Sequence, residues 1–411
     1  MSDLPFDFEE RLARFDLFDP ELQEADLWPF FDWIREHHPV ARTSALGGVW
    51  IVSRYDDVLH VYQHPEVFSS RAVVWPYDEA TMVPLNLDPP EHNAYRHLLA
   101  PMFSPAAARR MESLIREAAR ELIDGIRVSG GCEAVSAFAR PLPSRAFLAS
   151  FGLDPDRLPE MQASAESAFR LPDDEAGYAR LQESQAAITA YFQEFVDARR
   201  RDGGAGDDVP SQLVRAEVNG RPLTDDEIVS ILNLLMAASL DTTTSALSNM
   251  LTWLAEHPAR RDELVRDPEL LPVAIEELLR YEPMLFNGRM VVQETELHGV
   301  TMRPGDRVMM LFAAAMRDPR AFDDPGAVRF DREANRHLTF GAGPHRCLGA
   351  HQARHTLRVA LEEWHRAFPT YRVRAGTRPH RRLTMVMAVH AVELDVSYED
   401  GAAAARRAMY A

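Results

Sequence analysis

The chain has 411 residues, enough to bury a large core, and its net charge is −18. That balance excludes a general nucleic-acid binder, which needs a basic footprint. Two cysteines, Cys132 and Cys347, are too few for a disulfide framework or a four-thiolate zinc site.

All 45 basic residues are arginine, which reads as GC-rich coding bias rather than chemistry. The start, MSDLPFDFEE, is acidic and lacks the apolar stretch of a signal peptide. The longest apolar runs, near Ile231 to Leu240 and Val308 to Met316, are about half of what spans a bilayer. A cytoplasmic protein without a membrane segment is the expectation. No repeat or low-complexity linker divides the chain, and the polar run from Arg199 to Val209 reads as a surface loop between helices. One domain over residues 1–411 is therefore predicted, with 1–24 as a loosely packed N-terminal segment.

Helical patterns dominate. Trp28 to His37 is a first short helix ending near Pro39, followed by strand-like segments at Val40–Arg42 and Val49–Val52. Ser53 then caps a helix over Tyr55 to Gln63. A loop rich in aromatics and prolines, Phe68 to Asp88, leads to helices at Glu91–Met102, Ala106–Ile126, Ser144–Ser150, Pro159–Phe169 and Glu175–Arg200. Strand signals return at Gln293–Leu297, Arg307–Leu311 and from Leu383 to Val396. Many helices with a minor β region do not alternate as βαβ units would, so the fold class is mainly α.

The longest predicted helix runs from Asp225 to His257, roughly 50 Å at 1.5 Å per residue. Thr224 and Glu227 form a capping box, Leu223 and Ile228 a hydrophobic staple, and Pro258 ends it. Its first half is apolar on all sides and hence buried. Into that stretch the sequence inserts Ser239, Asp241, Thr242, Thr243 and Thr244, poor choices for a helix interior. Such a conflict often marks a functional site, although threonines can also simply bond back to carbonyls one turn earlier.

Glu277 and Arg280 lie three residues apart on one face of an apolar helix, Leu270 to Leu279. Asp88-Pro89-Pro90-Glu91 reads as a helix start with a capping box, after which His92 and Arg96 share a face. The most informative segment is Phe340-Gly341-Ala342-Gly343-Pro344-His345-Arg346-Cys347-Leu348-Gly349, ahead of an amphipathic helix from Gln352 to Trp364. Glycines let the loop fold tightly against a flat ligand, and the helix aims free amides and its dipole at the sulfur, favouring the thiolate. A thiolate there is a ready soft ligand for iron, and cysteinate is one of the axial ligands of haem. A buried structural cysteine is the alternative.

The run from Phe340 to Gly349 resembles the haem-ligand signature of the cytochromes P450, Phe-Gly-x-Gly-x-His-x-Cys-x-Gly, at every fixed position. Ala238-Ser239-Leu240-Asp241-Thr242-Thr243 resembles the family's oxygen-activation motif, with Ser239 where glycine is usual. Glu277-Leu278-Leu279-Arg280 resembles its Glu-x-x-Arg, and His92 to Arg96 its His-x-x-x-Arg. The likeness runs from about residue 25 to 396, and is to the soluble bacterial type.

The resemblance implies the cytochrome P450 fold, with haem between the long central helix and the cysteine-loop helix. It implies haem b with Cys347 as axial ligand of the iron, and Phe340 and Gly341 beside the haem. His92, Arg96, Arg289 and His345 would serve its carboxylates, whose burial calls for charge-assisted donors. Thr242 would hydrogen-bond the reacting oxygen, Asp241 would relay protons, and Glu277 with Arg280 would be a structural brace. Segments lining substrate pockets in the family fall on Trp75, Tyr77, Met82, Leu85, Phe169, Leu234, Ala238, Met284, Phe286, Met385 and Val386. Their mostly apolar character implies a hydrophobic small molecule. The expected reaction is insertion of one atom of O2, such as hydroxylation, in secondary metabolism. Electrons would come from a separate ferredoxin and an NAD(P)H-dependent ferredoxin reductase, docked near Arg109, Arg110, Arg116, Arg346 and Arg354. A peroxide-using peroxygenase and a non-catalytic haem-binding sensor are the alternatives.

Overall fold

The computed structural model describes residues 7–16, 18–22, 26–73, 82–168, 175–283, 286–382 and 387–397. The helix Asp225–Glu256 is its axis, with the capping box present as the sequence implies: the Thr224 side chain accepts from the Glu227 amide, and the Glu227 carboxylate from the Thr224 amide. Leu223 and Ile228, the predicted staple, are both buried. By length and composition this helix could cross a membrane, but 56% of its most apolar window is buried inside the protein, as in a core helix.

The two halves of the central helix serve different cores. Ile228 to Leu240 pack with Leu99, Phe103, Phe147, Met161 and Phe192. Ala246 to Ala255 pack with Phe138, Leu278, Leu357 and Trp364, the last two from the helix Ala350–Ala367 after the cysteine loop. The polar turn 241–245 belongs to neither cluster. It lies where one core stops and the other begins.

A five-stranded sheet holds another part of the site. Its order is Val40–Thr43, Val49–Val52, Arg307–Met310, Asn287–Val291, Phe68–Ser69, antiparallel except for the parallel pair Val49–Val52 and Arg307–Met310. The register sets Arg289 opposite Val308. At Gly288 a Cβ would stand 2.4 Å from the Ala72 carbonyl oxygen, so this strand accepts only glycine there if the turn before Val73 is to pack. A three-stranded sheet joins Thr370–Val373, Glu393–Ser397 and Gly131–Glu133.

Several local expectations need correction. The helix Tyr55–Gln63 is not capped by Ser53, whose hydroxyl donates to the Pro39 carbonyl; the Asp318 carboxylate takes the Tyr55 amide instead. Asp88 caps nothing: its carboxylate accepts from Ser69 and from the Ser70 amide, and the helix Glu91–Leu99 starts from Pro90 without a side-chain cap. The predicted helix 106–126 is two, Pro105–Arg110 and Glu112–Arg127, with Ser104 capping the first. The N-terminal segment expected to be loose is packed where it is described. Leu12, Phe15 and Leu22 are buried, and Arg11 pairs with Asp19 and Glu21.

Two carboxylates on the helix Leu271–Tyr281 organise the chain leading to the cysteine loop. Glu277 and Arg280 are both wholly buried, joined by bonds of 2.7 and 2.9 Å. Glu277 also accepts from the Arg329 amide, Arg332 and Asn335, while Arg280 donates to the carbonyls of Met316, Pro325 and Ala327. Removing one partner of such a pair typically costs about 3–5 kcal/mol, because a lone charge stays inside. Its neighbour Glu276 accepts two bonds from Arg354 and a contact from His337, tying the cysteine-loop helix to the same element.

Burial raises the Glu276 carboxyl, but hydrogen bonds from Arg354 and His337 outweigh it and bring the group to about 2 from 4.5. A group depressed on folding stabilises above its unfolded value and loses that contribution as pH falls through the folded one. Glu276→Gln should therefore be less stable than the parent above about pH 4.5, with the difference shrinking towards pH 2. Denaturant unfolding across that range measures it.

Candidate active site

The site is an apolar cavity of about 320 Å³ between the central helix and the cysteine-loop helix. Leu234, Ala238, Met82 and Leu85 line it, as the sequence suggests. Phe286 does not. It is buried in the core around Phe15, Phe30 and Phe31, and its successor Asn287 takes the cavity wall. Trp75, Tyr77, Phe169, Met284, Met385 and Val386 lie outside the described residues.

The cysteine loop is shaped by a close approach to the helix Tyr55–Gln63. Gly341 and Gly343 have φ of +66° and +64°, a region that disfavours side chains. A Cβ on Gly343 would stand 2.4 Å from the Tyr62 carbonyl oxygen, and one on Gly341 about 3.5 Å from the Tyr62 ring. The Cys347 amide donates to the Phe340 carbonyl at 2.7 Å, closing the loop. Phe340 lines the cavity with Arg354 over its ring at 4.3 Å.

Cys347 lies deep in the protein, and its exposed surface opens into the cavity it lines. Burial pushes its thiol up, against the Gly349 amide and the charges of Arg96, Arg354 and Arg346. The expectation that the helix lowers this thiol fails because desolvation of the sulfur outweighs what one amide and a helix terminus return. A thiolate at this depth is favoured by a cation beside it.

One end of the cavity gathers donors. His92 is 1% exposed and Arg289 3% exposed, and both line the cavity with Arg96 and His345. The rings of His92 and His345 are 3.9 Å apart. Burial, then His92, Arg289 and Arg96, lower His345 to about 3, so it is a neutral ring. Its Nε2 is buried without a hydrogen-bond partner among the described residues. Arg96 donates to the Arg346 carbonyl and Arg289 to that of Gly288, while no aspartate or glutamate is among the described lining residues. Two guanidiniums and an orphaned ring nitrogen beside an apolar cavity fit the carboxylates of a flat ligand, and Cys347 fits a soft metal at its centre.

On the distal side Thr242 lines the cavity, and its hydroxyl donates to the Ala238 carbonyl at 2.7 Å. Asp241 is half-buried and outside the lining. Sequence reasoning missed Tyr62, which stacks on Phe312, lies under Arg289 at 5.1 Å and accepts from Asn287. A tyrosine at helical spacing in an apolar face carries no local signal for this, because its partners come from distant segments. The basic patch is smaller than expected. Arg116 pairs with Glu112, Glu362 and Glu363, and Arg354 with Glu276, leaving Arg109, Arg110 and Arg346 exposed without an ion pair among the described residues.

Gly343→Ala should destabilise the protein by more than about 1 kcal/mol, since both its φ and its space exclude a side chain. Chemical denaturation measures it, and Gly349→Ala, whose Cβ would meet nothing within 4 Å, is the milder comparison.

The family model described as Cytochrome P450 matches residues 169–370. The chain is 35% identical over 345 residues to cyclomarin C epoxidase of Salinispora arenicola, covering 80% of this chain and 85% of that one. It is 32% identical over 347 residues to a steroid C26-monooxygenase of Mycolicibacterium smegmatis, covering 84% and 86%. A solved structure of a P450 EryK mutant in complex with erythromycin B superposes with a TM-score of 0.83 at 31% identity, covering 90% of this chain and 96% of that one. Relatives of this identity and coverage, on the same fold, place this chain in the cytochrome P450 family, as an enzyme of its monooxygenase class.

Proposed function

We propose that the chain binds haem b, whose iron Cys347 would hold through its sulfur, and inserts one atom of O2 into a hydrophobic small molecule. The observation that carries this is the pairing of a sulfur facing an apolar cavity with buried Arg289, half-buried Arg96 and a His345 Nε2 that has no partner among the described residues, all at its edge. Bound haem supplies the iron at which oxygen is activated. His92, Arg96, Arg289 and His345 would hold its carboxylates, while Phe340 and Gly341 would flank it.

Thr242 gives its hydroxyl hydrogen to Ala238, so its oxygen is left as an acceptor on the cavity side. That suits it to receive a hydrogen bond from the reacting oxygen, with Asp241 passing protons inward from solvent. The apolar walls exclude competing water. Relatives that act on cyclomarin C and on a steroid, and a neighbour that holds erythromycin B, support a hydrophobic substrate of secondary metabolism. Arg109, Arg110 and Arg346 supply a docking face for an acidic ferredoxin, reduced by an NAD(P)H-dependent reductase in the cytoplasm.

Cys347→Ala should abolish the thiolate-type Soret band of the reduced carbon-monoxide complex; survival of that band would remove Cys347 as ligand. Thr242→Ala should keep consuming NADH while product falls and peroxide rises. Unchanged coupling would remove Thr242 from proton delivery.

A further inference from the structure

The central helix turns one stripe towards the cavity: Leu235, Ala238, Ser239, Thr242, Thr243 and Ala246 all line it. The spacing of three and four residues is that of a single helix face. Three of the six carry hydroxyls, and their hydrogens are used differently. Thr242 bonds back to Ala238, and just beyond the stripe Thr244 bonds back to Leu240 and Ser248 to Thr244. Ser239 interrupts that habit. The Leu235 carbonyl one turn earlier is its natural acceptor, yet among the described residues its hydroxyl has no hydrogen-bond partner, and neither has that of Thr243.

A hydroxyl on an otherwise apolar wall is retained at a cost unless a ligand or an ordered water takes its hydrogen. The two candidates are not equivalent. Thr243 is β-branched and restricted in a helix, with one of its rotamers aimed at the carbonyl one turn back. Ser239 is unbranched and can turn its hydroxyl outward. It also adjoins Ala238, which is exposed to the cavity, on the turn before Thr242.

We propose that Ser239 is a positioning residue for the small ligand that binds opposite Cys347, its hydroxyl donating a hydrogen bond to the ligand's outer atom directly or through one water. This rests on Cys347 as the iron ligand and goes beyond it, assigning the distal donor to a position other than Thr242. Thr242, having given its hydrogen to Ala238, acts there as acceptor, and Ser239 supplies the complementary donor.

The test uses the reduced holoprotein with carbon monoxide as probe, reading the C–O stretch by infrared or resonance Raman spectroscopy. A donor at the ligand oxygen weakens that bond. Ser239→Ala and Ser239→Gly should both move the stretch to higher frequency and abolish its shift in D2O, while Thr243→Val leaves it in place. An unchanged stretch in both Ser239 variants, or a shift in Thr243→Val alone, overturns the assignment. The Soret band of the same samples separates the two readings: loss of the thiolate-type band in the parent protein refutes Cys347 as ligand, whereas its retention with an unmoved stretch refutes Ser239 alone.

Discussion

A single buried carboxylate, Glu277, sets the terms on which the proximal half of this molecule is built. An isolated charge at that depth is not tolerated, so the chain converges on it until its lone pairs are filled. Arg280 answers from the same helix, and Arg332, Asn335 and the Arg329 amide answer from the segment that leads into the cysteine loop. Because Arg280 in turn holds the carbonyls of Met316, Pro325 and Ala327, one charge pair fixes stretches of chain that have no regular secondary structure of their own. The preceding residue, Glu276, extends the tie to Arg354 on the cysteine-loop helix. The position of the sulfur is thus inherited from electrostatics several residues away.

The cavity exists because the central helix changes allegiance along its length. Its first half is committed to one apolar cluster and its last part to another, and between them Thr242 and Thr243 of the polar turn 241–245 face the gap. Residues that are poor helix formers are affordable there since thirty-two residues of helix hold the backbone regardless. At the cavity edge the balance is reversed, with two arginines and two histidines and no acid among the described lining side chains. A site rich in unanswered donors is unfavourable until an anionic ligand enters, so ligand binding and stability are coupled in this region.

Much of this was legible in the chain. The helix Asp225–Glu256, its capping box and its end before Pro258 follow from local rules, as do the helices Trp28–His37 and Tyr55–Gln63. What failed were inferences about who satisfies whom. Ser53 and Asp88 look like helix caps, and both give their side chains to partners elsewhere, while the amide of Tyr55 is served by Asp318 from far along the sequence. Phe286 stands directly before the strand Asn287–Val291 and packs into the N-terminal core, while its successor Asn287 lines the cavity. Tyr62 carried no signal at all, although two glycines of the cysteine loop require its closeness.

The sequence by itself determined the mainly-α fold class, the central helix with its polar interruption, and the glycine-cysteine loop, since these are written in periodicity, capping and spacing that a few neighbouring residues express. Only the tertiary structure decided which arginines are neutralised and which remain exposed, and that the Cys347 thiol is raised rather than lowered. It alone decided that the neutral His345 ring has an Nε2 without a partner among the described residues and that Ser239 keeps its hydrogen. Each of these depends on burial and on partners brought from distant segments, and desolvation is a property of the packed molecule that no local pattern encodes.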